Sequence, residues 1–169
     1  MIVANLATYP ARRDGLKRVI EALAPQVDRI NLVLNQYDAP LPELAGIARL
    51  EQILPSEDTK DAGKFYPGAA GAEWLFYVDD DILYPADFVA RSLAAMRALP
   101  AGRWLGGYHG SLYRRPELSL APKAFLRWLR YRPGLIADYR KPLRFHEALE
   151  HPVIVDQLGS GAAVIAGAD

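Results

Sequence analysis

Short apolar runs alternate with amphipathic segments along this chain, and turn residues separate them. Brief apolar runs between turns indicate buried strands, and apolar residues repeated at helical spacing indicate helices. The predicted strands cover residues 1–8, 30–34, 50–54, 74–79, 104–109, 153–155 and 162–166. The predicted helices cover residues 14–24, 86–98 and 121–132. Strands spaced by helices imply βαβ units, so we expect a three-layer α/β/α fold with a mostly parallel sheet.

The strand predicted at 74–79 runs directly into three consecutive carboxylates, Asp79, Asp80 and Asp81. Adjacent carboxylates repel one another, and Mg²⁺ or Mn²⁺ offsets this charge well because these hard ions prefer carboxylate oxygen. On an extended backbone Asp79 and Asp81 point to one side and Asp80 to the other. Open α/β sheets bind ligands at the carboxyl ends of their strands. The sequence therefore predicts a metal site at Asp79 and Asp81; the alternative is a solvated acidic turn before the helix that starts near Pro85.

Composition excludes several classes of protein. With 169 residues the chain is long enough for one domain with its own core. It contains no cysteine, which excludes disulfides, thiolate zinc sites and a cysteine nucleophile. Its start lacks the basic segment of a signal peptide, and no apolar run approaches the length of a membrane span. We therefore expect a cytoplasmic protein.

Basic residues concentrate in the stretch 114–144, which holds nine Lys or Arg against two acids although the formal net charge of the chain is zero. Trp128, Tyr131 and Tyr139 lie among them. The first 113 residues carry an acidic excess and no nucleic-acid motif is present, so nucleic acid is disfavoured as a partner. Peripheral contact with a membrane surface or an anionic lipid-linked acceptor suits the stretch better. A plain solvated helix is the alternative.

Four short motifs, in the same order along the chain, resemble segments of bacterial family 2 glycosyltransferases, which have the GT-A fold. They are Asp61–Tyr66 (DAGKFY), Asp79–Pro85 (DDDILYP), Tyr108–Ser111 (YHGS) and Leu158–Gly161 (LGSG). The resemblance implies a GT-A-like fold and a metal-dependent, inverting transfer of a sugar from a nucleotide-diphosphate donor to a glycan or lipid-linked acceptor. It also implies a single domain, 1–169, in which residues 1–85 bind the nucleotide sugar and residues 86–169 form part of the acceptor half.

The same resemblance assigns roles to individual residues. Asp81 would reach the Mn²⁺ or Mg²⁺, and Asp79 would contact the metal, its bound water or the ribose. His109 would be a third metal ligand, a phosphate donor or an acceptor contact, and the alternative is a structural histidine. The residues expected to bind the nucleotide sugar are Thr8, Tyr9, Arg12, Asn35, Asp38, Asp61, Lys64, Asp79 and Asp80.

Four of these donor residues have more specific expectations. Asn35 stands where many family members carry an aspartate that reads uracil, and Asp38 follows three residues later. Asp61 would lie near the base or the ribose, although Asp-x-Gly is also a common turn. Lys64 would lie near the diphosphate, and the alternative is a solvated surface lysine.

The general base and the end of the chain are the least defined features. In the family the base is an Asp or Glu near the end of the domain, which leaves Asp156 or Asp169 here. The last residues suggest a chain cut inside a structural element, as in a fragment, a gene truncation or a minimal enzyme. An edge left uncovered there predicts self-association as a homo-oligomer.

Two other functions stay open. A nucleotidyltransferase is disfavoured, because such enzymes usually have a glycine-rich loop after the first strand and residues 8–13 contain no glycine. A non-catalytic domain that binds nucleotide sugar is favoured by the lack of a clear general base.

Overall fold

The computed structural model describes residues 1–68, 71–113, 120–130, 140–147 and 149–166. It divides the chain into two compact units, one formed by Met1–Gly107 with Ser160–Asp169 and the other by Tyr108–Gly159. In chain order, the described strands β1 to β9 are Ile2–Thr8, Arg29–Leu34, Leu50–Ile53, Trp74–Val78, Leu105–Gly107, Gly110–Tyr113, Arg140–Leu143, Gln157–Leu158 and Ala162–Ala166. The described helices α1 to α3 are Arg13–Leu23, Phe88–Arg97 and Pro122–Leu129. The division into donor and acceptor halves at residue 85 concerns function and stays a prediction.

The first unit is built on a six-stranded sheet with the order β3-β2-β1-β4-β9-β5. Strands β1 to β4 pair in parallel, whereas β9 runs antiparallel to both of its neighbours, β4 and β5. The expected α/β fold is confirmed, but the sheet is mixed because β9 is reversed. An apolar run such as that of β9 predicts a buried strand without giving its direction, which depends on the path of the chain that leads into it.

The described α-helices of the first unit, α1 and α2, pack on one face of the sheet. They share one apolar cluster with it, formed by Leu16, Val19, Ile20, Leu23, Phe88, Val89, Leu93, Ala4, Leu6, Ile30, Leu32, Phe76 and Val78. On the opposite face lies a 3-10 helix, Lys60–Phe65, and the ring of Phe65 is 4.6 Å from that of Tyr77 in β4. No α-helix of this unit covers that face within the described residues, so the third layer stays a prediction.

Two buried asparagines anchor the loop on this second face. Asn31 Nδ2 donates a hydrogen bond to Asn5 Oδ1 at 2.7 Å, and Asn5 Nδ2 donates to the Gly68 carbonyl at 3.0 Å. Both side chains are almost completely buried. Because buried amides require hydrogen-bond partners, this pair ties the turn at Gly68, two residues beyond the Asp61–Tyr66 motif, to β1 and β2.

The second unit contains α3 and an antiparallel sheet with the order β7-β6-β8. The strand predicted at 153–155 is wrong, because Val153 and Ile154 are exposed and none of the described strands pairs with them. β-branched residues favour an extended backbone, but a strand needs a pairing partner. The strand predicted over 104–109 is limited to β5, and β6 begins beyond it at Gly110. Within the described ranges, no helix has the length and apolar character to cross a membrane.

Replacing Asn5 with alanine should lower the free energy of unfolding by about 1–3 kcal/mol, because Asn31 Nδ2 and the Gly68 carbonyl lose a buried partner. Urea unfolding monitored by circular dichroism measures this change. The control is Arg18→Ala on the exposed side of α1, which should change stability by less than about 0.5 kcal/mol. Equally small effects of the two substitutions would show that the asparagine pair does not anchor the loop.

Candidate functional site

A cleft of about 730 Å³ lies at the carboxyl edge of the sheet in the first unit. Its volume falls within the roughly 300–1,000 Å³ of most small-molecule sites. It is lined by Ala7, Thr8, Tyr9, Arg12, Asn35, Gln36, Asp58, Lys60, Lys64, Val78, Asp79, Asp80, Asp81 and Ser160. These residues lie at the ends of β1 and β4, follow β1, β2, β3 or β4, or belong to the segment just before β9. The cleft therefore lies where open α/β sheets bind ligands.

The three consecutive aspartates all line this cleft, but not in the predicted orientation. Strand β4 ends at Val78, and Asp80 and Asp81 form a turn. Side chains alternate only along an extended backbone, so the expectation that Asp80 points away from Asp79 and Asp81 is wrong. Arg12 Nη1 instead contacts Asp80 Oδ1 at 2.8 Å and Asp81 Oδ2 at 3.1 Å. Asp79 forms a separate ion pair with Lys64.

Lys64 is a buried residue rather than a solvated surface lysine. Its Nζ pairs with Asp79 Oδ1 and donates a hydrogen bond to the Ser160 carbonyl at 2.9 Å. Only 7% of the residue is exposed. A buried ammonium group is costly unless it is paired and hydrogen-bonded. The ion pair with Asp79 is therefore part of what allows the lysine to lie inside the cleft.

Gly63 brings Lys64 into position because it allows the 3-10 helix to approach the sheet closely. A Cβ atom at Gly63 would lie 2.7 Å from Ala7 Cβ and 2.9 Å from Asn35 Nδ2. Contacts this short would push the helix away from β1 and β2. The glycine of the DAGKFY motif is thus required by packing. The backbone of Asp61 belongs to the same 3-10 helix, and its side chain lies outside the described part of the structure.

Arg12 lies in the 3-10 helix Pro10–Arg12, directly after β1. Its guanidinium group lies 5.4 Å from the ring centroid of Tyr9, which is partly exposed in the cleft. The hydrogen bond to Asp80 raises the pKa of Arg12 above its usual value. The side chain is therefore a permanent cation held between two carboxylates and an aromatic ring.

Two buried polar atoms of the cleft have no hydrogen-bond partner within the described structure, Thr8 Oγ1 and Asp80 Oδ2. Thr8 is 1% exposed and Asp80 is 3% exposed. Such orphaned atoms are rare in folded proteins and need an explanation. Hydrogen bonds to the polar atoms of a ligand in the cleft would explain both orphaned atoms.

Asp79 is positioned by Tyr84 of its own motif and by Gly161 of the LGSG motif. The Tyr84 hydroxyl accepts the N–H of Asp79 at 2.9 Å and donates to the Gly161 carbonyl. Burial raises the pKa of Tyr84, so the phenol stays protonated and able to donate. A Cβ atom at Gly161 would lie 2.6 Å from Asp79 Oδ2. The YP and LGSG segments therefore hold the carboxylate in place.

Asn35 and Asp38, which follow β2, are not placed as the expected base-reading residues would be. The side-chain amide of Asn35 is engaged at both ends, since its Oδ1 accepts from Thr59 N and Oγ1 at 3.2 and 2.6 Å and its Nδ2 donates to the Lys60 carbonyl. Asn35 therefore lines the cleft, but its side chain holds the loop that follows β3. Asp38 is exposed and does not line the cleft.

Asp58 and Gln36 line the cleft instead, and the sequence did not single them out. Gln36 Nε2 donates to Asp58 Oδ2 at 2.9 Å, and the backbone N–H of Lys60 donates to Asp58 Oδ1 at 3.0 Å. Gln36 and Lys60 have φ angles of 61° and 49°, in the left-handed region. Such conformations cost about 1–3 kcal/mol each for residues other than glycine and tend to cluster at functional sites. A polar loop gives no sequence signal for this arrangement.

The three remaining predicted site residues are His109, Asp156 and Asp169. His109 belongs to the second unit, where its carbonyl accepts the Gly159 N–H at 2.7 Å and its ring packs on Gly159. Asp156, in the same unit, accepts the Tyr113 N–H through Oδ2 at 2.7 Å. Asp169 lies outside the described residues. The roles assigned to these three residues stay predictions.

The carboxylates fit a metal ion only in combination with a ligand. No group of three His, Asp or Glu side chains is arranged to hold a metal in the described part of the chain. Asp79 and Asp81 offer the hard oxygen atoms that Mg²⁺ and Mn²⁺ prefer, and Mg²⁺ commonly takes one or two carboxylates together with substrate phosphates. Asp79 and Asp81 therefore fit such an ion if a phosphate-bearing ligand completes its coordination.

Comparison of the sequence with models of known protein families and with curated proteins found no match.

Substituting Gly161 by alanine should lower the free energy of unfolding by about 1–3 kcal/mol, because the added methyl group overlaps Asp79 Oδ2 and forces it away from Lys64. The matched control is Gly15→Ala in α1, where no atom lies within 4 Å of the added Cβ. That substitution should leave stability unchanged or raise it by up to about 1 kcal/mol. Urea unfolding compares the two variants, and effects of the same sign and size would contradict the close contact.

Proposed function

We propose that this chain is a metal-dependent glycosyltransferase, which moves a sugar from a nucleotide-diphosphate donor to a glycan or lipid-linked acceptor. The observation that carries the proposal is the meeting of three carboxylates and two basic side chains in one cleft at the carboxyl edge of the sheet. Arg12 joins Asp80 and Asp81, and Lys64 holds Asp79. The four motifs that resemble GT-A enzymes support the same reading.

The charges of the cleft favour a divalent cation with the donor. The lining holds four acidic side chains and three basic ones, Asp58, Asp79, Asp80 and Asp81 against Arg12, Lys60 and Lys64. Three positive charges less four negative ones leave the cleft with a formal charge of −1 before any ligand binds. A diphosphate would add further negative charge. Mg²⁺ or Mn²⁺, held through Asp79 and Asp81, offsets this charge and binds phosphate oxygen well.

Arg12 and Lys64 are the groups of this chain that would bind the diphosphate. When bound, the metal ion would stabilise the negative charge that develops on the leaving diphosphate. Both basic side chains are already held at the cleft by carboxylates, so little conformational entropy is lost when they bind phosphate oxygens. Arg12 contacts Asp80 at 2.8 Å as well as Asp81 at 3.1 Å, so it would stay held by Asp80 if Asp81 held the metal ion.

In the proposed transfer, a hydroxyl oxygen of the acceptor forms a bond to the anomeric carbon of the sugar while the bond from that carbon to the phosphate oxygen breaks. A carboxylate takes the hydroxyl proton, and Asp156 and Asp169 stay the candidates for this base. The Asp156 carboxylate accepts the Tyr113 N–H, which gives it a structural role within the second unit. A domain that binds nucleotide sugar without turnover is therefore the second candidate function.

Peripheral contact with anionic lipids is proposed for the stretch 114–144, of which the structure describes α3 and β7. In α3 the rings of Phe125 and Trp128 stack with centroids 6.2 Å apart, and both are exposed, as is Leu129. Helical spacing places Lys123 and Arg130 on the face of α3 opposite Phe125, Trp128 and Leu129. Helices that lie on membrane surfaces combine an apolar face with basic side chains in this way. Self-association through the same face is the alternative.

The function is tested by hydrolysis of UDP- and GDP-sugars, because transferases commonly hydrolyse their donors slowly without an acceptor. We expect hydrolysis in Mn²⁺ that is lost in chelator and falls at least about tenfold in Asp81→Asn, since even outer partners of metal ligands cost about that much. The matched control is Asp38→Asn, the same change at an exposed carboxylate outside the cleft. Metal-dependent binding without hydrolysis would support the binding-domain alternative, and turnover that persists in chelator would contradict the metal.

Membrane contact is tested by sedimentation with phosphatidylcholine vesicles, with and without phosphatidylglycerol. We expect binding only to the anionic vesicles, weakened by salt. Leu129→Ser should reduce it about fivefold, because about 1 kcal/mol of apolar burial is lost. The matched control is Leu105→Ser in the first unit, since the two leucines are 55% and 53% exposed. Salt-independent binding, or equal loss in both variants, would contradict a surface formed by α3.

A further inference from the structure

We propose that Asp58, held by Gln36, reads the ring edge of the donor's base and selects bases with a ring N–H, uracil or guanine, over cytosine and adenine. This inference rests on the proposed function, because it assumes that the cleft binds a nucleotide diphosphate. Neither residue belongs to a motif that resembles the family. Asn35 and Asp38 occupy the place expected for a base-reading residue, but the Asn35 side chain is hydrogen-bonded to Thr59 and Lys60, and Asp38 lies outside the cleft.

Its hydrogen bonds place Asp58 beside the end of β2, on the side of the cleft away from Asp79 at the end of β4. The sheet order is β3-β2-β1-β4, and the lining residues after these strands are Asp58, Gln36, Arg12 and Asp79, respectively. Neighbouring strands lie about 4.8 Å apart, so β2 and β4, which lie on either side of β1, are separated by about 10 Å. An extended nucleoside diphosphate covers a distance of this order. With its phosphates at Arg12 and Lys64, its base would lie over the ends of β2 and β3.

An orphaned buried atom between these two ends supports the path of the nucleotide. Thr8 Oγ1 is buried in the cleft lining, has no hydrogen-bond partner within the described residues, and lies at the end of β1. Strand β1 stands between β2 and β4 in the sheet. A ribose hydroxyl between the base and the phosphates would supply the missing partner.

Asp58 is prepared to accept hydrogen bonds from a ligand. Its two oxygens each accept one hydrogen bond, from Gln36 Nε2 and from the Lys60 backbone N–H. These two bonds lower the pKa of Asp58, and the bond from Gln36 contributes more than the bond from Lys60. The carboxylate is therefore ionised at neutral pH, and it keeps further lone pairs because each oxygen can accept a second donor.

Because Asp58 accepts hydrogen bonds, it would distinguish bases that carry a ring N–H from bases that do not. Uracil N3 and guanine N1 each carry a hydrogen that a carboxylate can accept, and each is flanked by a carbonyl to which the second Nε2 hydrogen of Gln36 can donate. The corresponding ring nitrogens of cytosine and adenine carry a lone pair, which a carboxylate repels. An unpaired polar group in the site is the strongest source of such discrimination.

The test is calorimetric titration of the full chain with UDP, GDP, CDP and ADP in Mn²⁺. We expect UDP or GDP to bind at least about tenfold more tightly than CDP and ADP. Methylation of the preferred base at its ring N–H, as in N3-methyl-UDP or N1-methyl-GDP, should remove this advantage without any change in the protein. In Asp58→Asn, whose amide can donate as well as accept, the preference should fall below about threefold.

The matched control is Asp38→Asn, which should keep the preference of the unmodified chain. Equal affinities for all four nucleotides, a preference for CDP or ADP, or full affinity for the methylated nucleotide would overturn the role of Asp58 while the proposed function stands. If none of the four nucleotides binds, the proposed function itself fails and the inference fails with it.

Discussion

The ion pairs that join Lys64 and Arg12 to three adjacent aspartates are the interaction on which the cleft depends. Asp79, Asp80 and Asp81 follow a strand in the middle of the sheet, and Asp80 is buried, so water alone cannot offset its charge. Lys64 pairs with the first aspartate, and Arg12 pairs with the other two, so one of the three negative charges stays uncompensated. Each basic residue arrives from a different loop. The ion pairs therefore also fix the 3-10 helix before β4 and the 3-10 helix after β1 against the same edge of the sheet.

Close packing at two glycines maintains these ion pairs. Gly63 lets the helix that carries Lys64 lie against Ala7, and Gly161 leaves room for the Asp79 carboxylate. Tyr84 then joins Asp79 to the segment before β9 through the hydrogen bonds of its hydroxyl. The motifs that resemble glycosyltransferases are thus connected physically, because residues of three of them shape the surroundings of one carboxylate.

The order of strands across the sheet gives the two ends of the cleft different chemistry. Basic and acidic side chains meet after β1 and β4, and a hydrogen-bonded carboxylate lies after β3. A ligand with an anionic end and a base at the other end matches this order, which joins the proposed donor to the proposed selection of its base. The cleft has one negative charge more than it has positive charges, and this excess explains why a divalent cation is expected with such a ligand.

Local sequence determined the elements and the place of the site. Apolar runs and helical spacing identified β1, β2, β3, β4, β9, α1 and α2 to within about two residues, and the strand end located the three aspartates. Only the tertiary structure decided that β9 is reversed, that Lys64 is buried, that Asp80 shares Arg12 with Asp81, and that Asp58 lines the cleft. The physical reason is range. The burial pattern of a strand or helix depends on residues that are close together in the sequence. The direction of a strand, the partner in an ion pair and the orientation of a side chain in a turn depend on residues that are far apart in the sequence.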